Sequence, residues 1–304
     1  MSESLKNFKE KVSIMNFKNG AELTQLCKDS GLSISKVCIE REVEISARSE
    51  EEIIEDMRKS YDIMRKAIEK GQHEELKSMG GLIGGEAKKL KDRMSQNRPV
   101  CGELMSKAMS AAMGVMEVNA SMGLIVAAPT AGSCGILPGA LITVGDEFGK
   151  SDEEIIKAIF AAGAIGIIIT RNATVSGAEG GCQAETGAAA AMAAAGIVEL
   201  MGGSAEQALD AAAICLKNVM GLVCDPIAGL VEAPCQKRNA IGVANALISA
   251  EMVLAGVPSV IPFDEAVQAM YEVGRRLPVE LRETALGGAA STPTGCRLCK
   301  QIFS

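Results

Sequence analysis

Apolar residues in the first third of the chain recur at helical spacing. In "EEIIEDMRKSYDIMRKAIEK" Ile54, Met57, Tyr61, Met64 and Ile68 form one stripe, with charged residues on the other faces. That pattern predicts an outer amphipathic helix packed on a core. From residue 101 the pattern changes. "CGELMSKAMSAAMGVMEVNASMG" is apolar nearly all round and predicts a buried central helix rich in Ala and Met. "SDEEIIKAIFAAGAIGIIIT" opens on a serine N-cap and an acidic first turn, which suit the positive end of a helix. "GSAEQALDAAAICLKNVMG" repeats the device with Ser204 and Glu206 and is expected to stop at Gly221. "PFDEAVQAMYEVGRRL" predicts another short amphipathic helix. There is no low-complexity linker and no repeat of fixed period. The expected fold is all-α, one compact helical domain with residues 1–75 as a peripheral layer on a main body over 76–304.

Composition sharpens this picture. Of 304 residues 48% are hydrophobic but only 3% aromatic, with no Trp, so the core must be built from Ala, Ile, Leu, Val and Met. Such a chain is long enough to bury a large core. Charge is concentrated at the start: residues 1–100 hold 37 of the 69 Lys, Arg, Asp and Glu. The net charge of −7 gives no basic footprint for nucleic acid. The polar N-terminus lacks a signal-peptide pattern. "FAAGAIGIIIT" and "GAAAAMAAAGIVELMGG" are too short or too alanine-rich to cross a bilayer. These features point to a cytoplasmic protein without membrane partners, in which ten cysteines serve metal or redox chemistry rather than disulfides.

Three loops between the helices have unusual content: "AAPTAGSCGILPG", "NATVSGAEGGCQ" and "CDPIAGLVEAPC". Glycine lets a backbone pass close to a ligand, so three such loops suggest convergence on one site. Cys182 falls at the start of a helix, where free N–H groups and the dipole favour a thiolate. Cys224 and Cys235 bracket the third loop. Each of these cysteines alone fits a packing role. As a spaced set they fit zinc or an iron–sulfur cluster, though the spacing is that of neither a zinc finger nor a ferredoxin.

"EVNASMGLIVAAPTAGSCGILPG", "SGAEGGCQAETG", "CDPIAGLVEAPCQKRNAIG" and "RETALGG", together with "GGEAKKL", resemble the motifs of the iron–sulfur-dependent L-serine dehydratases over about residues 80–295. More closely, the chain resembles the α subunit of the two-subunit form. The resemblance implies a serine dehydratase α-type catalytic domain over residues 76–304. It implies a [4Fe–4S] cluster held by Cys182, Cys224 and Cys235 with one iron open, and no pyridoxal phosphate. It implies L-serine as the substrate, lost as pyruvate and ammonia, and a β subunit as partner. Asn119, Thr130, Ser176, Arg238 and Asn239 are the motif polar residues expected around substrate and cluster. Arg238 is the carboxylate clamp, because its planar fork matches a carboxylate. Each also has a plainer role: Asn119 and Asn239 as helix bridges, Ser176 as a cap. A tail cysteine fills the open iron in some single-chain relatives, which makes Cys296 or Cys299 a candidate fourth ligand, although this tail continues through "KQIFS".

The single histidine, His73, lies in a polar stretch expected at the surface. The "SSSHT"-like motif, which lies in another domain of single-chain relatives and on the β chain of the two-subunit form, is missing, so the resemblance implies a chain incomplete for catalysis without a β partner. Glu117, Glu179 and Glu185 are expected to orient ligands by hydrogen bonds. Cys27, Cys38, Cys101 and Cys215 are expected to be packing residues, and Cys134 either lines the site or packs. A related cluster enzyme acting on threonine or cysteine, and a non-catalytic metal-stabilised scaffold or redox sensor, are the competing functions.

Overall fold

The computed structural model describes residues 15–304. The first helices are α1 (Gly20–Ser30), α2 (Ile34–Ser46) and α3 (Glu50–His73). Asn19, Ser33 and Ser49 cap them, each accepting a hydrogen bond from a first-turn amide. On α3 the buried positions are Ile53, Tyr61, Met64, Ala67 and Gly71. Ile54, Met57 and Ile68 of the expected stripe flank that seam half-buried. The seam is rotated because Gly71, not a bulky side chain, meets α5: a Cβ there would lie 2.3 Å from the Gly114 carbonyl oxygen.

Next come α4 (Glu86–Gln96), α5 (Glu103–Ala120), α6 (Ile136–Glu147) and α7 (Asp152–Asn172). The serine-plus-acid start expected at Ser151 is a full capping box with Glu154. The central helix expected at 101–123 is α5, buried from Ser110 through Val118. Cys101 departs from expectation: it is exposed, outside the helix. Gly102, at a φ of 76°, turns the chain before α5 begins, so Cys101 never joins the buried face.

The short α8 (Gly177–Gly180) leads through one π-helical turn (Gln183–Gly187) into α9 (Ala188–Leu200). Every residue of α9 except Glu199 is buried. It is the most enclosed element, surrounded by α6, α7, α10 (Ala205–Asn218) and α11 (Cys235–Leu254). Seven alanines make this possible, since helix axes approach closely only where side chains are small. Ser204 caps α10 in a box with Gln207, and the helix ends at Asn218 rather than Gly221. Gly221 instead takes a left-handed turn at a φ of 89°, three residues on. Two last helices, α12 (Phe263–Arg276) and α13 (Pro293–Ile302), complete the order.

One apolar cluster runs from Phe17 to Met270 across α1, α2, α3, α7, α9, α10 and α12. Among the described residues there is no strand, only an isolated bridge between Cys224 and Arg282. Nor is any helix among them long and apolar enough to cross a membrane.

Candidate active site

The three loops meet where α8, the start of α11 and the chain between α12 and α13 come together. Cys182 follows Gly181, whose φ of 77° swings the chain out of α8 and into the π turn. Beside it, fully buried Gln183 holds the turn in place. Its amide donates to the carbonyls of Gly180 (2.9 Å) and Met270 (3.0 Å), and its oxygen accepts from the Gly221 amide (2.8 Å). Its own backbone amide donates to Leu222 (3.0 Å). One side chain thus ties the Cys182 turn both to α12 and to the segment that enters Cys224.

Cys224 is paired on its other side with the C-terminal strap, residues 279–291. Its amide donates to Leu281 (2.8 Å), and the Glu283 amide donates back to its carbonyl (2.7 Å). Asp225 continues the attachment: one carboxylate oxygen accepts from Arg238 (2.7 Å), the other from the Ala289 amide (2.6 Å). Gly288 makes that approach possible, because a Cβ there would lie 2.3 Å from the Asp225 carboxylate. Cys235 opens α11 and packs with Met116 and Cys134.

All three thiols are buried, at 3%, 3% and 7% exposure. Burial pushes each thiol above its ordinary range, Cys235 to about 12. This outweighs the helix-start effect expected at Cys182, although the Thr186 hydroxyl at its sulfur and the positive charge of Arg238 pull the other way. At Cys224 burial is the main cause, and negative charge on Cys182, Glu283, Glu185 or Cys235 raises it further. Among the described residues no three His, Cys, Asp or Glu side chains converge on a single-ion point. A tetrahedral zinc site needs such a point. A cubane cluster does not, because each thiolate binds a different iron. Three soft, buried thiols on three separate segments are therefore a donor set that fits a cluster.

The expected polar residues divide by what they touch. Thr130 donates a short hydrogen bond to Glu185 and lies 2.9 Å from Ser133. Ser176 begins α8 without a side-chain cap bond. Arg238, 13% exposed, bonds Asp225 and the Val223 carbonyl (2.7 Å). Asn239 is fully buried, and all its polar atoms are used: Gly135 donates to its oxygen (3.0 Å), and it donates to Gly132 (2.8 Å) and Cys235 (2.9 Å). It fastens the 130s loop to the Cys235 helix, and Asn119 fastens the same loop to α5 through the Ala131 carbonyl (3.1 Å).

Glu185 sits in the middle of the loops, and burial raises its carboxyl above the usual 4.5. Glu117 accepts from the Gly85 and Ala87 amides and from Gln236 (2.8 Å), anchoring the start of α4 beside α11. Glu179 is exposed. Cys134 is fully buried, 3.6 Å from the Met116 sulfur. Cys296 is exposed and Cys299 half-buried on α13, which packs on the turn Ile227–Gly229. His73 is exposed at the end of α3, bonded to Lys91 (2.7 Å).

Sequence reasoning missed Gln183, Asp225, Glu232 and Glu283. Buried Glu232 accepts from Ser78, Gly80 and Leu82, pinning the glycine loop before α4 against the Cys235 loop. Asp225 and Glu283 were signalled by lying inside "CDP" and "RETALGG", but nothing in the chain announces that these stretches touch.

The fold and site define an all-helical protein with three buried thiols gathered by glycine-rich loops. Residues 29–290 match the family model described as serine dehydratase alpha chain, and the chain belongs to that family. It is 48% identical over 287 residues to a Bacillus subtilis protein named "Probable L-serine dehydratase, alpha chain", covering 94% of this chain and 95% of that one. It is 46% identical over 282 residues to the L-serine dehydratase alpha chain of Peptoniphilus asaccharolyticus, covering 93% and 97%. Similarity to L-serine dehydratase 1 of Escherichia coli, 38% identical over 282 residues, takes in 90% of this chain but 61% of that longer one.

Proposed function

We propose that this chain is the α subunit of an L-serine dehydratase, a lyase that removes ammonia from L-serine to leave pyruvate, working with a β chain. The observation that carries the reading is the placing of Cys182, Cys224 and Cys235, all buried, at the ends of three loops in a chain of the serine dehydratase family. These three residues would hold a [4Fe–4S] cluster. When bound, the cluster supplies a Lewis-acidic iron, which eases departure of the poor hydroxide leaving group.

The chain's own residues supply the surroundings. Asn239 and Gln183 fix the backbone on which the thiols stand, the role of groups behind metal ligands. Arg238 lies beside Cys182 with positive charge that favours a thiolate there. Its remaining donors face the substrate carboxylate. Thr130 and Glu185 stand on the opposing loop, where Thr130 donates to the Glu185 carboxyl and burial raises that carboxyl above its ordinary range. His73 stays on the surface, so the base for the α-proton comes from the β chain. Support for that partner is the 61% coverage of the longer Escherichia coli relative, which carries sequence beyond this chain's reach.

The test is anaerobic reconstitution with iron and sulfide. A brown chromophore that shifts when L-serine is added is the expected outcome. Cys224→Ser should lose iron, colour and activity together. A colourless protein carrying zinc, or a Cys224→Ser variant with full colour and turnover, overturns the reading.

A further inference from the structure

Gly177, the first residue of α8, is the floor on which three elements converge. A Cβ built there would lie 2.9 Å from the Cys224 sulfur, 3.4 Å from a Glu185 carboxylate oxygen and 3.4 Å from a Glu283 carboxylate oxygen. Glu185 comes from the π turn before α9, Glu283 from the strap and Cys224 from the loop between them. The strap holds Glu283 in a left-handed conformation, at a φ of 64°, which a non-glycine residue adopts only where its surroundings require it. Its backbone is fastened to the Cys224 carbonyl. Its carboxylate, by contrast, makes no hydrogen bond or ion pair among the described residues. Glu185 keeps one oxygen on Thr130 and turns the other toward Gly177.

The nearby guanidinium pairs with neither of these carboxylates. Arg238 is paired with Asp225 in a contact of 2.7 Å, with side-chain exposures of 13% and 6%. Two carboxylates and a ligating thiol therefore face one glycine with no cation of their own. A half-buried group of this kind attracts a positive ligand, since unpaired charge away from bulk water is costly. L-Serine carries such a charge on its α-ammonium, with its carboxylate at the other end. The geometry points to Glu283, together with Glu185, as the subsite that binds the α-ammonium group of the substrate, opposite the Arg238 side that takes the carboxylate. This rests on the proposed dehydratase reading and deepens it: the site selects zwitterionic α-amino acids over hydroxy acids of the same length. Glu283 is then a substrate-binding residue supplied by the strap, and the left-handed turn that carries it is the cost of delivering it there.

The experiment compares two ligands on the reconstituted chain, L-serine and 3-hydroxypropionate, which keeps the hydroxyl and carboxylate but lacks the ammonium. Binding is read as the ligand-induced shift of the visible spectrum. L-Serine should bind at least about tenfold more tightly, as expected for charge-assisted hydrogen bonds. Glu283→Gln should weaken L-serine by about tenfold and leave 3-hydroxypropionate unchanged, with iron content intact; Glu283→Asp should restore part of the gap. Equal binding of the two ligands by the unaltered chain overturns the inference without needing any variant. So does a Glu283→Gln chain that weakens both ligands alike. A chromophore blind to both ligands, or no chromophore, sinks the dehydratase reading and this inference with it.

Discussion

Cys182, Cys224 and Cys235 were visible as a spaced set before any coordinates, because cysteines at the edges of glycine loops are unusual in a helical chain. Their partners were not. Gln183 acts through Met270 and Gly221, and Asn239 through Gly132 and Gly135, contacts spanning up to 107 residues. No local pattern encodes such distances. The same holds for Gly177, an ordinary turn residue in sequence and the floor of the site in three dimensions. Gly177→Ala should therefore lower cluster occupancy severalfold, because its methyl would crowd the Cys224 sulfur at 2.9 Å, a distance real Cβ atoms do not tolerate. Iron and sulfide content per chain, with the melting temperature of the metal-free protein as control, checks this. An occupancy equal to that of the unaltered chain would show that the sulfur has room to move.

Among whole elements, caps and periodicity carried most of the information. Capping boxes at Ser151 and Ser204, and the amphipathic α12, follow from the sequence. The seam of α3 and the end of α10 were misjudged because a glycine contact decided the first and a tertiary hydrogen bond to Gly221 bears on the second. Glu199 illustrates how element contacts set titration. It alone is not buried on α9, yet it accepts both its bonds, at 3.2 Å, from the Ser35 amide at the start of α2. Desolvation raises its carboxyl above 4.5 despite those bonds. A raised folded pKa contributes stability that is complete below the unfolded value and is lost as pH rises through the folded one. Glu199→Gln, which keeps an acceptor and has no proton to lose, should thus gain melting temperature relative to the unaltered chain as pH rises above the ordinary carboxylate range. Melting curves across and above that range check it; a difference that does not change with pH contradicts it.

Taken as a whole, the molecule separates its chemistry from its only histidine. His73 lies at the end of α3 on Lys91, outside the loops that gather the cysteines. The alanine-rich α9 instead fixes the site, since its N-terminal turn presents Cys182 while its body is locked among four helices. If the base comes from a β chain, as proposed, this chain alone should bind substrate without turning it over. The reconstituted chain alone should show the L-serine spectral shift but form pyruvate only when a β chain is supplied. Pyruvate at full rate from this chain alone would place the base among its own residues.

By itself the sequence determined that the protein is helical, that its core is aliphatic and that three cysteines stand at loop edges, because periodicity, capping and composition are local properties. It also carried enough motif likeness to suggest a family. Which side chains surround those cysteines was decided only by the tertiary structure. Asp225 gains its meaning from Ala289 and Arg238, and Glu283 from Gly177 and Cys224. Those meetings depend on where α8, α11 and the strap cross, and that crossing is set by close packing around α9 rather than by the residues that meet.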